Sequence, residues 1–109
     1  MSDAGCGADT TEPYALRVIG DSMLPEFAHG HIIIVDPGLP IYQGAYVVLL
    51  QDEQVMFGQY HQNGPQEQLL YLNPTFQSVT LHKNYLVKGI ITQRSSGRRK
   101  SIKHYDTPY

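Results

Sequence analysis

Short apolar runs alternate with turn residues along most of the chain. Residues 14–19 (YALRVI) end at Gly20, and residues 31–35 (HIIIV) end at the Asp-Pro-Gly turn of residues 36–38. Aromatic and β-branched residues favour strands, whereas Gly, Pro, Asn and Asp favour turns. Each of these runs therefore predicts a strand that ends at the turn after it.

The remaining apolar runs continue this alternation of strand and turn. Between the first two predicted strands the only helical signal is one short turn, which Asp21 or Ser22 would cap. No stretch of the chain has extended helical periodicity, so the pattern predicts a mainly β domain with at most one or two short helical turns. The further predicted strands are residues 46–50, 54–57, 60–61, 69–72, 79–81 and 85–92.

Polar segments rich in small residues mark the two ends of this domain. Residues 1–12 cannot bury enough apolar area to offset the entropy of ordering them, so we interpret them as a flexible arm. The folded domain is expected over residues 13–95, followed by a basic and polar tail over residues 96–109. A chain of 109 residues is the size of one ordinary domain.

Composition narrows the classes of function. A formal net charge of -2 means that the domain as a whole does not attract nucleic acid. No apolar run approaches the roughly 18 residues that cross a bilayer, and no signal segment is recognisable, so we predict a cytoplasmic protein that does not enter a membrane. The single cysteine, Cys6, excludes an intramolecular disulfide and a multi-cysteine zinc site. No cofactor is predicted.

Six landmarks then identify a resemblance. They are the turn Gly20-Asp-Ser-Met-x-Pro25, Gly30 before the strand to Val35-Asp36, Gly44 before a valine-rich strand, the DEQV hairpin, residues 72–74 (LNP), and residues 87–91 (VKGII). From about residue 14 to 94 the sequence resembles the LexA and signal-peptidase superfamily, and looks most like the carboxy-terminal domain of LexA-type and phage repressors and of UmuD-type mutagenesis proteins. The resemblance implies a bent β-sheet assembly that dimerises and cleaves its own linker when bound to a recombinase filament.

The resemblance also assigns roles to residues. Ser22 occupies the position of the family's nucleophile, and its neighbours Asp21 and Met23 belong to the turn whose backbone N–H groups hold the oxyanion. The family's general base, a lysine, corresponds to Gly58. A serine hydroxyl needs a neighbouring group to take its proton at neutral pH. We therefore predict that the chain lacks intrinsic self-cleavage.

Three residues are candidates to replace the missing lysine: His61, His31 and Lys88. Strand alternation would place His61 on the face opposite to residue 58 unless a bulge intervenes. The alternative interpretation of Ser22 is a hydroxyl that merely stabilises its turn.

Other chemistry is less well supported by the spacing. His29 and His31, together with Asp36, could contact a metal, but only the two histidines are close in sequence and the spacing does not fix Asp36 as a third ligand, so we predict no metal site. The basic residues 94–100 are interpreted as a solvated tail. Ala4-Gly5 and Cys6-Gly7 resemble the family's scissile bonds.

We therefore expect a LexA-like self-association domain of a phage-type or SOS-type transcriptional regulator, with the nucleophile retained and the base lost. The alternatives are an active self-cleaving serine peptidase with a different base and a UmuD-like mutagenesis accessory factor that acts on a polymerase. DNA binding is expected only through a helix-turn-helix domain outside this chain. A homodimer is expected to form through residues 85–94, which we predict to be an exposed edge.

Overall fold

The computed structural model describes residues 12–96 and 102–108, and these residues form eight β-strands and no helix. The prediction of a mainly β domain is confirmed. No helix in the described ranges has the length and apolarity that crossing a bilayer requires. The strands are β1 Tyr14–Arg17, β2 Ile32–Asp36, β3 Tyr46–Gln51, β4 Gln54–Asn63, β5 Gln66–Leu70, β6 Val79–Thr80, β7 Leu86–Ser95 and β8 Lys103–His104.

All eight strands belong to one antiparallel sheet, in the order β1-β2-β7-β3-β4-β5-β6, with β8 paired to β7. Strand β7 lies inside the sheet, because β2 pairs with it on one side and β3 on the other. The expectation that residues 85–94 form a sheet edge is therefore wrong for residues 90–94, whereas residues 86–89 pair with β3 alone. The apolar run that predicted the strand reflects burial between two neighbours, which gives the same pattern as an apolar edge.

Strand β4 is longer than the sequence predicts. Gly58 separates two predicted runs, yet the structure continues through it as one ten-residue strand. Gly58 pairs with Val47, and the next residue back, Phe57, pairs with Val48. The backbone at Gly58 is extended, so this glycine does not form a turn. Its missing side chain leaves space for Leu69 of the next strand.

Strand alternation divides the apolar side chains into two cores, one on each face of the sheet. Adjacent residues of β3 show the division, since Val48 lies in the first core and Val47 in the second. The buried members of the first core are Val18, Met23, Phe27, Ile33, Val35, Val48 and Ile91. The buried members of the second core are Ala45, Val47, Leu49, Tyr60, Leu69, Leu81 and Ile90.

An aromatic cluster joins the carboxy-terminal residues to the first core. The ring of Phe27, which is 0% exposed, lies 5.0 Å from the rings of Tyr46 and Phe57 in edge contacts and 5.5 Å from Tyr105. Strand β8 places Tyr105 there by pairing with the end of β7. Residues 103–105 thus pack on the domain, although the sequence pattern predicts no strand there.

Candidate functional site

The turn that carries Ser22 connects β1 to β2 on the face of the first core. Gly20 has a φ of 89°, in the left-handed region that glycine enters without a Cβ clash. The Phe27 N–H donates to the Met23 carbonyl oxygen at 2.9 Å. The side chains of Met23 and Phe27 are 1% and 0% exposed, so they anchor the turn in the core. Ser22 remains half-buried at its surface.

Ser22 lines a cleft of about 430 Å³ beside β1 and β4. Most of the lining is apolar, and three of its apolar side chains are exposed: Leu16 (37%), Ile19 (73%) and Val55 (68%). Such an apolar cleft suits an extended peptide with small or aliphatic side chains. The described lining residues are Leu16, Arg17, Val18, Ile19, Ser22, Ile33, Val48, Gln54, Val55, Met56, Phe57 and Tyr71.

Asn73 holds the Ser22 turn from the connection between β5 and β6. Its main-chain N–H donates to the Ser22 carbonyl oxygen at 3.0 Å, and its side-chain Nδ2 donates to the Asp21 carbonyl oxygen at 3.0 Å. Its Oδ1 accepts from the main-chain N–H and the hydroxyl of Thr75, at 3.0 and 2.9 Å. The LNP landmark therefore contacts the GDSM landmark directly, 52 residues earlier in the chain.

The Ser22 hydroxyl has no hydrogen-bond partner among residues 12–96 and 102–108. Backbone groups close the turn without it. In this geometry the hydroxyl is available to a molecule in the cleft.

Gly58 lies on the opposite side of the sheet from this hydroxyl. It pairs with Val47, whose side chain belongs to the second core. A Cβ built at Gly58 would lie 2.6 Å from Leu69 Cγ. Phe57, one residue earlier, faces the cleft instead. The structure therefore does not bring residue 58 and Ser22 together: in this backbone, a side chain at 58 would meet Leu69.

The three candidate substitute bases are all outside the described lining of the cleft. His61 is near the end of β4, and the Gln43 side-chain Nε2 lies 3.2 Å from its Nδ1. His31 accepts a hydrogen bond from the Ala28 N–H at its Nδ1, at 3.0 Å. Lys88 is exposed in β7. None of the three is brought to the serine hydroxyl.

The residues considered as metal ligands have other partners. The Gly20 N–H donates to His29 Nδ1 at 2.9 Å, and the Gly38 N–H donates to Asp36 Oδ1 at 2.9 Å. Over the described part of the chain, no group of three His, Cys, Asp or Glu side chains is arranged to hold a metal ion.

The sequence pattern does not predict the charged cluster around Glu26, which lies within the turn that carries Ser22. Glu26 Oε2 accepts from Lys103 Nζ at 2.7 Å, from the Tyr105 hydroxyl at 2.6 Å and from Arg94 Nη1 at 3.2 Å. These partners are 68 to 79 residues from Glu26. The basic residues near the end of the chain were the only available signal, and their pattern does not identify an acidic partner.

Electrostatics in this cluster favour the charged carboxylate. Burial alone would raise the pKa of Glu26, but hydrogen bonds from Lys103 and Tyr105 and the charges of Lys103 and Arg94 outweigh it and lower that pKa. Burial and the bond to Glu26 raise the pKa of the Tyr105 phenol. At neutral pH the cluster therefore contains an ionised carboxylate and a neutral phenol.

A second carboxylate, Glu67, lies beside the second core. Its Oε2 accepts from the Tyr60 hydroxyl, and from the Tyr85 hydroxyl at 2.8 Å. Burial, followed by the bond to Glu67, raises the pKa of both phenols. Both tyrosines therefore remain neutral donors well above neutral pH.

Comparison with known proteins places this architecture among regulators. A family model described as Peptidase S24-like matches residues 3–92. The prophage repressor CohE of Escherichia coli (strain K12) is 34% identical over 102 residues, which cover 90% of this chain and 44% of that protein.

Two further relatives regulate conjugative elements. The HTH-type transcriptional regulators for the elements R391 of Providencia rettgeri and SXT of Vibrio cholerae are each 36% identical over 90 residues. The matches cover 73% of this chain and 40% of each regulator. The chain thus spans less than half the length of these relatives.

Proposed function

This chain belongs to the Peptidase S24-like family, and on that premise we propose that it is the self-association domain of a transcriptional regulator whose serine lacks a working general base. The observation that carries the proposal is the position of Gly58. It replaces the lysine implied by the family resemblance, and its Cα packs against Leu69 on the face away from Ser22.

No other described residue in the cleft supplies a base. Arg17 cannot accept a proton, because a guanidinium group is not deprotonated in proteins. Burial raises the pKa of the Tyr71 phenol, so that group stays protonated at neutral pH. A serine without a base loses about a hundredfold to ten-thousandfold in rate.

The absence of self-cleavage is tested by incubating the chain at about pH 9 and measuring its mass. We expect the intact mass to persist for days, and a fluorophosphonate probe to leave Ser22 unlabelled. Labelling or cleavage that is lost in Ser22→Ala would show that another base works, and would make the chain an active serine peptidase.

Self-association is supported by apolar side chains at the beginning of β7. Leu86 is 57% exposed and Val87 is 38% exposed, and the strand becomes buried only from Gly89 onwards. We expect sedimentation equilibrium at high micromolar concentration to give the mass of a dimer, and Leu86→Ser to weaken it. Phe76→Ser, at another exposed apolar side chain (44%), is the matched control and should leave the dimer intact. A purely monomeric unmodified chain would contradict the proposal.

DNA recognition by such a regulator would come from a helix-turn-helix domain, and the described residues form no helix. The relatives that are named HTH-type regulators extend well beyond the matched region. A cytoplasmic location and a recombinase filament or polymerase as partner stay predictions.

A further inference from the structure

Two histidine side chains close the loop between β1 and β2, which carries the candidate nucleophile. The Gly20 N–H donates to His29 Nδ1 at 2.9 Å, and the Ala28 N–H donates to His31 Nδ1 at 3.0 Å. Gly20 lies at the start of this loop and Ala28 lies near its end. Each imidazole therefore holds the main chain at one end of the loop.

Both hydrogen bonds require a neutral imidazole. A ring nitrogen accepts a hydrogen bond through its lone pair, so Nδ1 accepts only in the tautomer that carries the proton on Nε2. A protonated imidazole has an N–H at both nitrogens and accepts no hydrogen bond. If either ring took up a proton, its Nδ1–H would face a main-chain N–H, and two donors in contact repel each other. Protonation therefore breaks the bond.

The charged side chains around the loop do not offer a protonated ring another partner. Glu26, in the same loop, pairs with Arg94 of β7 and Lys103 of β8. Among residues 12–96 and 102–108, no carboxylate forms an ion pair with His29 or His31. The other charged or titratable side chains of the loop and of the strands around it are Arg17 in β1, Asp21 in the loop, Asp36 in β2, Lys88 in β7 and His104 in β8.

The base of the loop is held without titratable groups. The Val18 N–H donates to the His31 carbonyl oxygen at 2.8 Å, and the Gly30 N–H donates to the Val18 carbonyl oxygen at 2.8 Å. These main-chain bonds continue the pairing of β1 with β2 beyond Arg17 and Ile32. Protonation of the two rings therefore loosens the loop and leaves the sheet intact.

We propose that His29 and His31 form a pH-sensitive switch, which holds the Ser22 loop closed while both rings are neutral and releases its two ends when they are protonated. Imidazole takes up a proton as the pH falls from about 8 to about 5. The closed loop excludes that proton from Nδ1, so the closed state is favoured at the alkaline end and is lost towards the acid end. Ile19 and Ser22 line the cleft, so the switch changes the order of one cleft wall. The inference goes beyond the proposed function, because it needs neither catalysis nor a dimer.

Nuclear magnetic resonance of the full chain between about pH 8 and about pH 5 tests the switch. At the alkaline end, the ring nitrogen shifts of both histidines should show an unprotonated Nδ1 and a protonated Nε2. As the rings take up protons, the protection factors of the Gly20 and Ala28 amides against hydrogen exchange should fall about twofold to tenfold, the range that one such hydrogen bond gives. The amide signal of Ser22 should shift with the same midpoint.

Asparagine at both positions preserves the acceptors and removes the titration. Asn Oδ1 is separated from Cα by the same number of bonds as His Nδ1, and an amide takes up no proton in this pH range. The double variant His29→Asn/His31→Asn should therefore keep the protection of Gly20 and Ala28 at the acid end. His82→Asn is the matched control, because the His82 ring lies beside a carboxylate outside the loop. It should retain the pH dependence of the unmodified chain.

Three results would overturn the inference. The first is a protonated Nδ1 in either ring at the alkaline end, which would mean that the ring does not accept the main-chain bond. The second is a protection of Gly20 and Ala28 that does not change with pH in the unmodified chain, or that falls equally in the double asparagine variant. The third is a parallel loss of protection at the amides of Val47 and Leu69, which would mean that acid unfolds the sheet rather than the loop.

Discussion

The two faces of the sheet carry similar apolar cores but are completed in different ways. The first core, around Phe27, is covered by the Ser22 turn and by Tyr105 near the end of the chain, and it adjoins the cleft. The second core, around Leu69, is built largely from side chains of the strands themselves. The face with the candidate site thus depends on segments added to the sheet, whereas the opposite face depends on the sheet itself.

The carboxylates beside the two cores have different partners. Glu26 unites the turn with β7 and β8 through two cations and a phenol. Glu67 receives two phenols, Tyr60 and Tyr85. Ion pairs therefore stabilise the face that carries the first core and the cleft. Because Glu67 has no such cation partner among the described residues, mutation and pH should affect the stability of the two faces differently.

The largest expected effect comes from removing the centre of the first core. Phe27→Ala deletes a ring that is 0% exposed and contacts Tyr46, Phe57 and Tyr105. The free energy of unfolding should fall by about 3–5 kcal/mol, as measured by urea denaturation. Phe76→Ala, with a ring 44% exposed, is the control and should lose far less. Similar losses in both variants would mean that Phe27 does not anchor the turn.

A slightly smaller effect is expected from adding bulk on the opposite face. Gly58→Lys would place a Cβ 2.6 Å from Leu69 Cγ and 2.8 Å from the Leu70 carbonyl oxygen. We expect it to destabilise the fold by about 3 kcal/mol through overpacking and burial of the side-chain stem, without producing cleavage. Gln59→Lys, at the next and partly exposed position, is the control for an added charge.

This variant also tests the relation between the faces. If Gly58→Lys remained as stable as the unmodified chain and acquired Ser22-dependent cleavage at alkaline pH, residue 58 would reach the cleft. The division of roles between the two faces would then be wrong.

An intermediate effect is expected from Glu26→Gln, which removes the charge that unites the turn with the end of the chain. At neutral pH the free energy of unfolding of this variant should be lower by about 1–2 kcal/mol, an amount typical of hydrogen bonds to a charged group. The pKa of Glu26 is lowered from its ordinary value of 4.5 by folding. The stabilisation is therefore present above that value and is lost as the pH falls through the folded-state pKa.

Urea denaturation of both proteins from pH 7 to pH 3 measures this dependence. The difference in free energy of unfolding between Glu26→Gln and the unmodified chain should become smaller towards pH 3. Glu53→Gln, at an exposed position in the β3–β4 turn, is the control and should show a small difference at every pH. If the free energies of unfolding of Glu26→Gln and the unmodified chain differ by the same amount at every pH, the charge of Glu26 does not stabilise its face of the sheet.

The smallest effect is expected at the exposed rim of the cleft. Val55 is 68% exposed, so Val55→Ser should change the free energy of unfolding by no more than about 0.5 kcal/mol. It should nevertheless weaken binding of an acetyl-leucyl-alanyl peptide, measured by titration, because Val55 lines the cleft. Strong destabilisation would show that the rim contributes to the first core.

The positions of most strands could be predicted because each is a short apolar run with a turn residue at its end. The prediction was too short at β4, because the predicted runs ended at residue 57 and resumed at residue 60, whereas the strand continues through Gly58. The residue is glycine there because Leu69, in the next strand of the sheet, leaves no room for a Cβ. A contact between strands leaves no local pattern in the sequence.

The serine turn was recognisable from sequence, but its support was not. Gly20 and the apolar anchors Met23 and Phe27 lie within a few residues of Ser22, so local chemistry indicates the turn. The partners through which Asn73 and Glu26 hold the turn lie 51 to 79 residues away, and only the folded chain shows those pairs.

The central position of β7 has a consequence for how the chain is made. Strands β2 and β3 both pair with it, although Leu86–Ser95 is among the last strands to leave the ribosome. Closing such long loops is entropically costly and slows folding. Until β7 is available, β2 and β3 each present an unpaired edge that invites aggregation. The emergence of β7, rather than the appearance of any early hairpin, is therefore the moment at which the edges of β2 and β3 become protected.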